Sequence, residues 1–570
     1  MNLAAICHEA TQRWCHAVGQ DRFVIRIQTA KDDVKSVTLH TRDKYIPLKF
    51  FDSRKTYLME KVASDGLRDY YEVSIFFRMP CLRYCFRIEG LDGTEVILAL
   101  DGFVSRIPED KERLFDCCQN LREEALFQVP QWAKHQILYQ IFPSRFATDR
   151  AVSDKVWYQA PIGAGTDLGG NLRGIIEKLD YIHDLGADVV YMTPVFASRS
   201  SHKYDTLDYY TIDPSFGTTE DLIELVDKAH SMGMRVILDA VFNHTAPEFF
   251  AFDDLKKSRE NSPYRNWYYV EEFPIRVFPK PNYKCFGYFG GMPKLNLLDQ
   301  ECGRYFTDVA LYWLEKTGID GWRLDVGDEV SHAFWRGFRR EIKARFPEAL
   351  IVGEIWHQAP DFLEGDQWDT VMNYPFHRAV EDFAATDSIP PSAYLGRLGQ
   401  IRGNTHTNVQ PLLWNLIGSH DTPRILHRCG GSKARQRLCA ALLLLSPGMA
   451  MLYYGDEVAL TGGADPDCRR GMLWDDNRQD KRMLAWYKRL IQLRKTIPAI
   501  TEGKPVREEA RDDDGLILIR RIHPQGNVTI LFHSKETSIS LPEFAGKTDL
   551  ISETVFSGLM EGIGVLVFGD

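Results

Sequence analysis

"YFTDVALYWLEKTGIDGWRLDV", residues 305–326, is a helix followed by a strand, and it decides the fold. Phe306, Val309, Ala310, Trp313 and Leu314 recur at helical spacing, and Gly318 closes the run. The period then changes to two. Trp322, Leu324 and Val326 point to one side, Arg323 and Asp325 to the other. A buried strand seldom carries an arginine and an aspartate on one face, so this face calls for a chemical reason.

The alternation extends both ways. Strands are expected in "QILYQIF" (136–142), "DVVYMTP" (188–194), "MRVILDAVF" (234–242), "IDGWRLDV" (319–326), "ALIVGEIW" (349–356), "TVMNYP" (370–375), "WNLIGSHD" (414–421) and "MAMLYYGDE" (449–457). Helices lie between them, among them "NLRGIIEKLDYIHDLG" (171–186), "TTEDLIELVDKAHSMG" (218–233) and "HAFWRGFRREIKARF" (332–346). Eight strands interleaved with helices predict an α/β fold, a (β/α)8 TIM barrel, over residues 122–243 and 301–497.

Three segments break this rhythm. Residues 1–121 read as short alternating strands such as "RFVIRIQTA" (22–30) and "LRYCFRIEG" (82–90), which predicts an N-terminal β-sandwich. Residues 244–300 are rich in aromatics, proline and glycine and too long for a loop, so they are expected to form a small inserted domain. Residues 498–570 return to alternation and predict a C-terminal β-sandwich.

Composition excludes several classes. Of 570 residues, 44% are hydrophobic and 26% charged, with a net charge of −10, so a nucleic-acid partner is not expected. The 11 cysteines show no zinc-ligand spacing. The longest apolar run, 438–455, is broken by Ser446-Pro447-Gly448 and reads as a buried helix and strand, so no membrane partner is expected. The first residues lack the pattern of a signal peptide, and a cytoplasmic protein is expected.

Barrel chemistry sits at the carboxyl ends of strands. Those ends carry Asp239, Asn243 and His244, then Arg323 and Asp325, then Glu354 and Trp356, then His420 and Asp421. Each has a plainer reading. Asp239 could close a turn, His244 could be a satisfied structural residue, Arg323 and Asp325 a simple ion pair, and Asp421 a helix cap. Together, several carboxylates at one rim repel and lose solvation unless a site needs them. Glycoside hydrolysis needs two carboxyls of different pKa. Arg323 would favour the Asp325 anion, while Ile355 and Trp356 would raise Glu354. A metallohydrolase using His244, His420, Asp325 and Asp421 is the competing reading. No HExxH-like pair supports it, and Arg323 opposes a cation there.

The ordered set "DAVFNH" (239–244), "GWRLDVGDE" (321–329), "GEIWH" (353–357) and "GSHDTPR" (418–424) resembles the four signature regions of the α-amylase family of glycoside hydrolases. "MPKLN" (292–296), "SHKYDTLDYYTIDPSFG" (201–217) and "ADPDCRR" (464–470) resemble its cyclomaltodextrinase, neopullulanase and maltogenic amylase subgroup. The resemblance implies a retaining α-glucan hydrolase acting on cyclodextrins, short maltooligosaccharides and pullulan. Asp325 matches the nucleophile, Glu354 the acid/base, and Asp421 the third carboxylate. Arg323, His202, Tyr204, His244 and His420 match groups around the reacting glucose. Phe286 and Trp356 match contacts on the leaving-group side, and Asp465 and Arg469 contacts on the other. The subgroup also implies a homodimer through the N-terminal domain. A transglycosylase or an α-1,6- or trehalose-type relative remains the alternative, with a non-catalytic sugar-binding protein behind it. No cofactor is required. A calcium site implied by the subgroup would fall on Asp149, Ser153, Asp154 and Gly170, and is expected to be weak or empty, since few of its oxygens are anionic. Gly327-Asp328 stands where the subgroup has Ala-Asn, which bears on hydrolysis against transglycosylation.

Overall fold

Eight parallel strands close into a barrel: β1 (Ile137–Ile141), β2 (Val189–Met192), β3 (Arg235–Ala240), β4 (Gly321–Leu324), β5 (Leu350–Gly353), β6 (Thr370–Asn373), β7 (Trp414–Leu416) and β8 (Met449–Tyr453). This computed structural model describes residues 1–19, 21–46, 52–77, 81–118, 127–161, 163 and 166–569. All eight expected strands are there. Most end earlier than their alternation suggested, because the ladder stops where the chain turns to build the mouth. After Leu324 the Asp325 N–H still pairs with Ala240 O (3.1 Å), and Val326 then turns left-handed (φ 47°, ψ 42°).

Local signals set the barrel helices. Asn171 caps Leu172–Leu185 by accepting the Gly174 N–H, and Gly186 ends it at φ 99°. Thr218 and Asp221 form a capping box on Thr219–Ser231. The helix Gln300–Thr317 begins at the Asp299 cap, earlier than its apolar stripe indicated, and ends at Gly318. Trp322 of β4 lies against Phe196 and Phe242, which in turn meet Trp313 and Phe306 of the helix Gln300–Thr317.

By contacts the chain divides into two compact units. One holds Met1–Val129, Gln358–Gly365 and Ile389–Gln410. Within it, two antiparallel sheets bury Phe23, Ile25, Val37, Leu39, Leu82 and Phe86 between them. The helix Pro391–Asn404 packs on the strand Glu60–Ser64, so closely that a Cβ on Gly399 would meet Ser64 O at 1.9 Å. The expected domain boundary at 121 lies outside the described residues.

The other unit holds Pro130–His357, Asp366–Ser388 and Pro411–Asp570. Besides the barrel it contains the segment after β3, built from the helix Phe250–Ser258 and isolated bridges such as Val270 with Tyr283 and Tyr268 with Leu295. Its C-terminal region is a four-stranded antiparallel sheet, Lys504–Arg511, Leu516–Ile522, Val528–His533 and Gly564–Gly569, with two short ribbons. Phe544 stacks on Phe568 at its core (5.3 Å). Among the described residues no helix is long and apolar enough to cross a membrane.

Candidate active site

Arg323 on β4 is fully buried. Its Nη1 donates to Asp239 Oδ1 (2.9 Å) on β3 and to Asp325 Oδ1 (2.8 Å). Its Nη2 lies 2.9 Å from Glu354 Oε1, just past β5. Strand register brings them together, since Asp239 pairs with Arg323 and Arg323 with Val352 across the ladders. One guanidinium thus gathers carboxyls from three neighbouring strands. The expected Arg323–Asp325 ion pair is one part of this carboxyl cluster. Among the described residues, no three His, Cys, Asp or Glu side chains are grouped to hold a metal. The guanidinium supplies the cation at the centre of this cluster.

Three carboxyls around one positive charge cannot all ionise freely. Burial pushes the Glu354 carboxyl up to about 7, against the pull of Arg323 and helped by the Asp421 charge. Burial also pushes Asp325 and Asp239 upward, with Arg323 opposing. The expected effect of Arg323 on Asp325 is present, but it counters desolvation rather than overcoming it. Glu354 Oε2 accepts the Val326 N–H (2.8 Å), and Oε1 faces the Trp356 indole N–H at 3.3 Å.

Asp325 and Glu354 open on a cavity of about 560 Å³. His202, Tyr204, His244, Phe286, Trp356, Asp421, Asp465 and Arg469 line it too. Of the strand-end residues expected at the site from sequence, Asp239, Asn243, Arg323 and His420 are buried and do not line it. Met292, Val326, Asp328 and Glu329 also line the cavity and were not among the expected contacts.

One side of the cavity is tightly cross-linked. Arg469 Nη2 donates to Asp421 Oδ1 (3.1 Å), Nη1 lies 3.0 Å from Asp465, and Nε donates to His420 O (2.8 Å). His420 Nδ1 accepts the Gln140 amide (2.8 Å), so its proton sits on Nε2, which faces Asp421 Oδ2 (3.1 Å) and the Tyr204 hydroxyl. Tyr204 donates to Asp239 Oδ2 (3.0 Å) and lies parallel to His420. His202 Nδ1 accepts the Tyr204 N–H (3.1 Å). His244 has both ring nitrogens engaged, by Asn243 (3.3 Å) and Tyr204 O (3.2 Å), and Phe286 stacks on its face (5.2 Å). Burial lowers His244 to about 3 and also pulls His202 and His420 down, so all three are neutral near pH 7.

The lining also includes the apolar side chains of Met292, Val326 and Trp356. Trp356 is half-exposed and stacks on buried Tyr374 (3.9 Å, 11°). Gln140, Tyr191 and Tyr374 escaped the sequence reading. Tyr191 donates to Asp239 Oδ2 (2.7 Å). A lone glutamine inside the apolar run of β1 was a usable signal for Gln140; the tyrosines look like ordinary strand aromatics. Gly327 has a steric reason, since a Cβ there would lie 2.9 Å from the Trp368 ring. Asp328 lies 3.9 Å from His357 Nε2.

Among the residues implied for calcium, Asp149 is engaged within the chain. Asn171 Oδ1 accepts the Gly174 N–H (2.8 Å), which turns its amide N–H onto Asp149 Oδ1 (2.6 Å). One Asp149 carboxylate oxygen therefore already accepts a donor within the chain, and Ser153 and Asp154 begin a short helix, Asp154–Trp157.

A family model described as "Alpha amylase, catalytic domain" matches residues 140–503, and one described as "Alpha amylase, N-terminal ig-like domain" matches residues 1–119. A cyclomaltodextrinase of Geobacillus thermopakistaniensis (strain MAS1) is 39% identical over 549 residues, covering 95% of this chain and 93% of the relative. Neopullulanase 2 of Thermoactinomyces vulgaris is 38% identical over 558 residues, covering 96% and 94%. A solved structure named cyclomaltodextrinase matches with a TM-score of 0.93 at 34% identity, over 100% of both chains.

Proposed function

Because the chain belongs to the α-amylase family of glycoside hydrolases, we propose that it cleaves α-1,4 bonds of cyclodextrins, short maltooligosaccharides and pullulan with retention of configuration. It is a cyclomaltodextrinase-like glycoside hydrolase acting on α-glucans. The proposed steps use the residues above. An Asp325 carboxylate oxygen bonds to the anomeric carbon as the glucosidic C–O bond breaks. The Glu354 proton passes to the leaving oxygen. Water then attacks the glycosyl-enzyme, gives its proton to Glu354 and frees Asp325. Asp421 and Arg469 hold sugar hydroxyls, and Tyr204 lies beneath the ring.

The observation that carries this reading is the single guanidinium that holds Asp325 and Glu354 side by side. Such closeness suits the retaining geometry, in which the two carboxyls stand about 5–5.5 Å apart. Burial that keeps Glu354 protonated to about pH 7 suits a general acid. Asp325→Asn tests it. Hydrolysis of β-cyclodextrin is expected to fall at least about 10³-fold; activity near the unmutated level would sink the assignment.

The half-exposed Trp356 favours transglycosylation as a side reaction, since an acceptor sugar can stack where the leaving group departs. Chromatography of products from maltotriose measures it. By its resemblance to the subgroup the protein is proposed to be a homodimer through its N-terminal domain, residues 1–121; sedimentation as a monomer at micromolar concentration would overturn this. Cys85, Cys302, Cys429, Cys439 and Cys468 are not disulfide-bonded, which suits a cytoplasmic setting.

A further inference from the structure

Nine described non-glycine residues have a positive φ, and among them only Val326 is β-branched. Its φ of 47° lies in the left-handed region that such a side chain enters only at a conformational cost. Strain of this kind persists where the surroundings enforce it, and it clusters at functional sites. Val326 directly follows Asp325 and lines the cavity. The turn is held on both sides. Asp325 N–H stays on Ala240 O (3.1 Å), Gly327 O accepts the Trp335 indole (2.8 Å), and Glu329 O accepts Lys294 Nζ (2.9 Å). The product of this turn is a backbone N–H aimed at Glu354 Oε2 from 2.8 Å. It is the shortest hydrogen bond the Glu354 carboxyl makes, against 3.3 Å from Trp356.

We infer that the left-handed turn at Val326 is kept as a positioning device, whose N–H fixes the Glu354 carboxyl for delivery of its proton to the leaving oxygen. This rests on the reading of Glu354 as the acid/base. A donor on the carboxyl also favours its anion, so the same bond restrains the upward shift that burial imposes. Arg323 and Asp325 from β4, Asp239 from β3, Asp421 after β7 and Tyr374 after β6 also face Glu354. None of these is altered by a change confined to the 325–326 peptide.

The test replaces Val326 by its α-hydroxy acid, which keeps the isopropyl group and exchanges the N–H for an ester oxygen. Two substrates separate the roles. Maltotriose needs a proton on its leaving oxygen; α-maltosyl fluoride does not. For the ester variant kcat/KM on maltotriose is expected to fall about tenfold or more, with the fluoride changed less than about threefold. The alkaline limb of the maltotriose profile is expected to move to higher pH. Equal losses on both substrates, or an unchanged ratio, would overturn the inference. Should the ester fail to fold, Val326→Gly and Val326→Asn, which both accept the left-handed region and keep the N–H, are expected to preserve the maltotriose-to-fluoride ratio; a fall in both would assign the effect to the isopropyl group and overturn the inference. Glu354→Gln runs in parallel. If it still hydrolyses maltotriose, the reading of the site fails. If it loses maltotriose and spares the fluoride while the ester variant keeps the ratio, only the present inference fails.

Discussion

Two arginines are buried at opposite ends of the barrel and do opposite things. At the foot, Arg494 on the helix Lys481–Thr496 holds only backbone carbonyls: Leu444 (2.9 Å), Ser446 (2.6 Å), His135 (3.0 Å) and Gly448. At the mouth, Arg323 holds carboxyl groups. Burial lowers Arg494 to about 9, with only the distant Asp188 charge in opposition. Burial acts on Arg323 too, but the Asp239 and Glu354 charges outweigh it and hold its pKa up. The foot is a staple made of neutral dipoles. The mouth is a set of charges that a stable fold has no need to place together.

The contrast breaks if substitutions at the two ends have similar effects. The largest loss of activity is expected from Glu354→Gln, about 10³-fold on maltotriose, while the melting temperature at pH 8 holds or rises. The sign follows from linkage. A carboxyl whose folded pKa is raised to about 7 destabilises the protein progressively as pH climbs from its unfolded value to about 7. The glutamine removes that penalty, so its benefit should be greater at pH 8 than at pH 5. Arg494→Met is the mirror image. Leaving several buried carbonyls unpaired should cost about 3–5 kcal/mol in denaturant unfolding. The kcat/KM of the folded fraction should stay within about twofold; a specific loss of catalysis would erase the distinction.

A milder test uses pH alone. If Glu354 donates the proton, kcat/KM should decline as pH rises through about 7, the value to which burial pushes it. A flat profile from pH 6 to 9 would remove Glu354 from that role. The smallest effect is expected from Gly327→Ala. The new methyl meets the far edge of Trp368 at 2.9 Å, which should cost about 1–2 kcal/mol and shift the ratio of transfer to hydrolysis more than the overall rate.

Sequence alone carried the barrel because the strand–helix alternation is strong and the caps are local. It carried the acidic cluster because Arg323 and Asp325 violate the pattern of a buried strand. What it missed follows from packing. The helix Pro391–Asn404 contains Gly396, Gly399 and Gly403, poor helix formers that local propensity argues against. At Gly399 the nearby Ser64 carbonyl leaves no room for a side chain, a fact no local pattern contains. Strand ends were set too late because the residues past Leu324 and Gly353 keep apolar–polar alternation after they leave the ladder. Tyr191 and Tyr374 were invisible for a related reason: a tyrosine that orients Asp239 or backs Trp356 looks the same in sequence as one that fills a core.

The uncharged histidines have a practical consequence. His202 and His244 line the cavity and His420 lies behind it, yet burial keeps all of them from acquiring a proton near neutrality. On the proposed function, His202 and His244 would meet a sugar as fixed dipoles and bring no counterions with them. A glucan carries no charge either, so its affinity should barely respond to ionic strength between 50 and 500 mM, a range over which screening between full charges changes about threefold in reach.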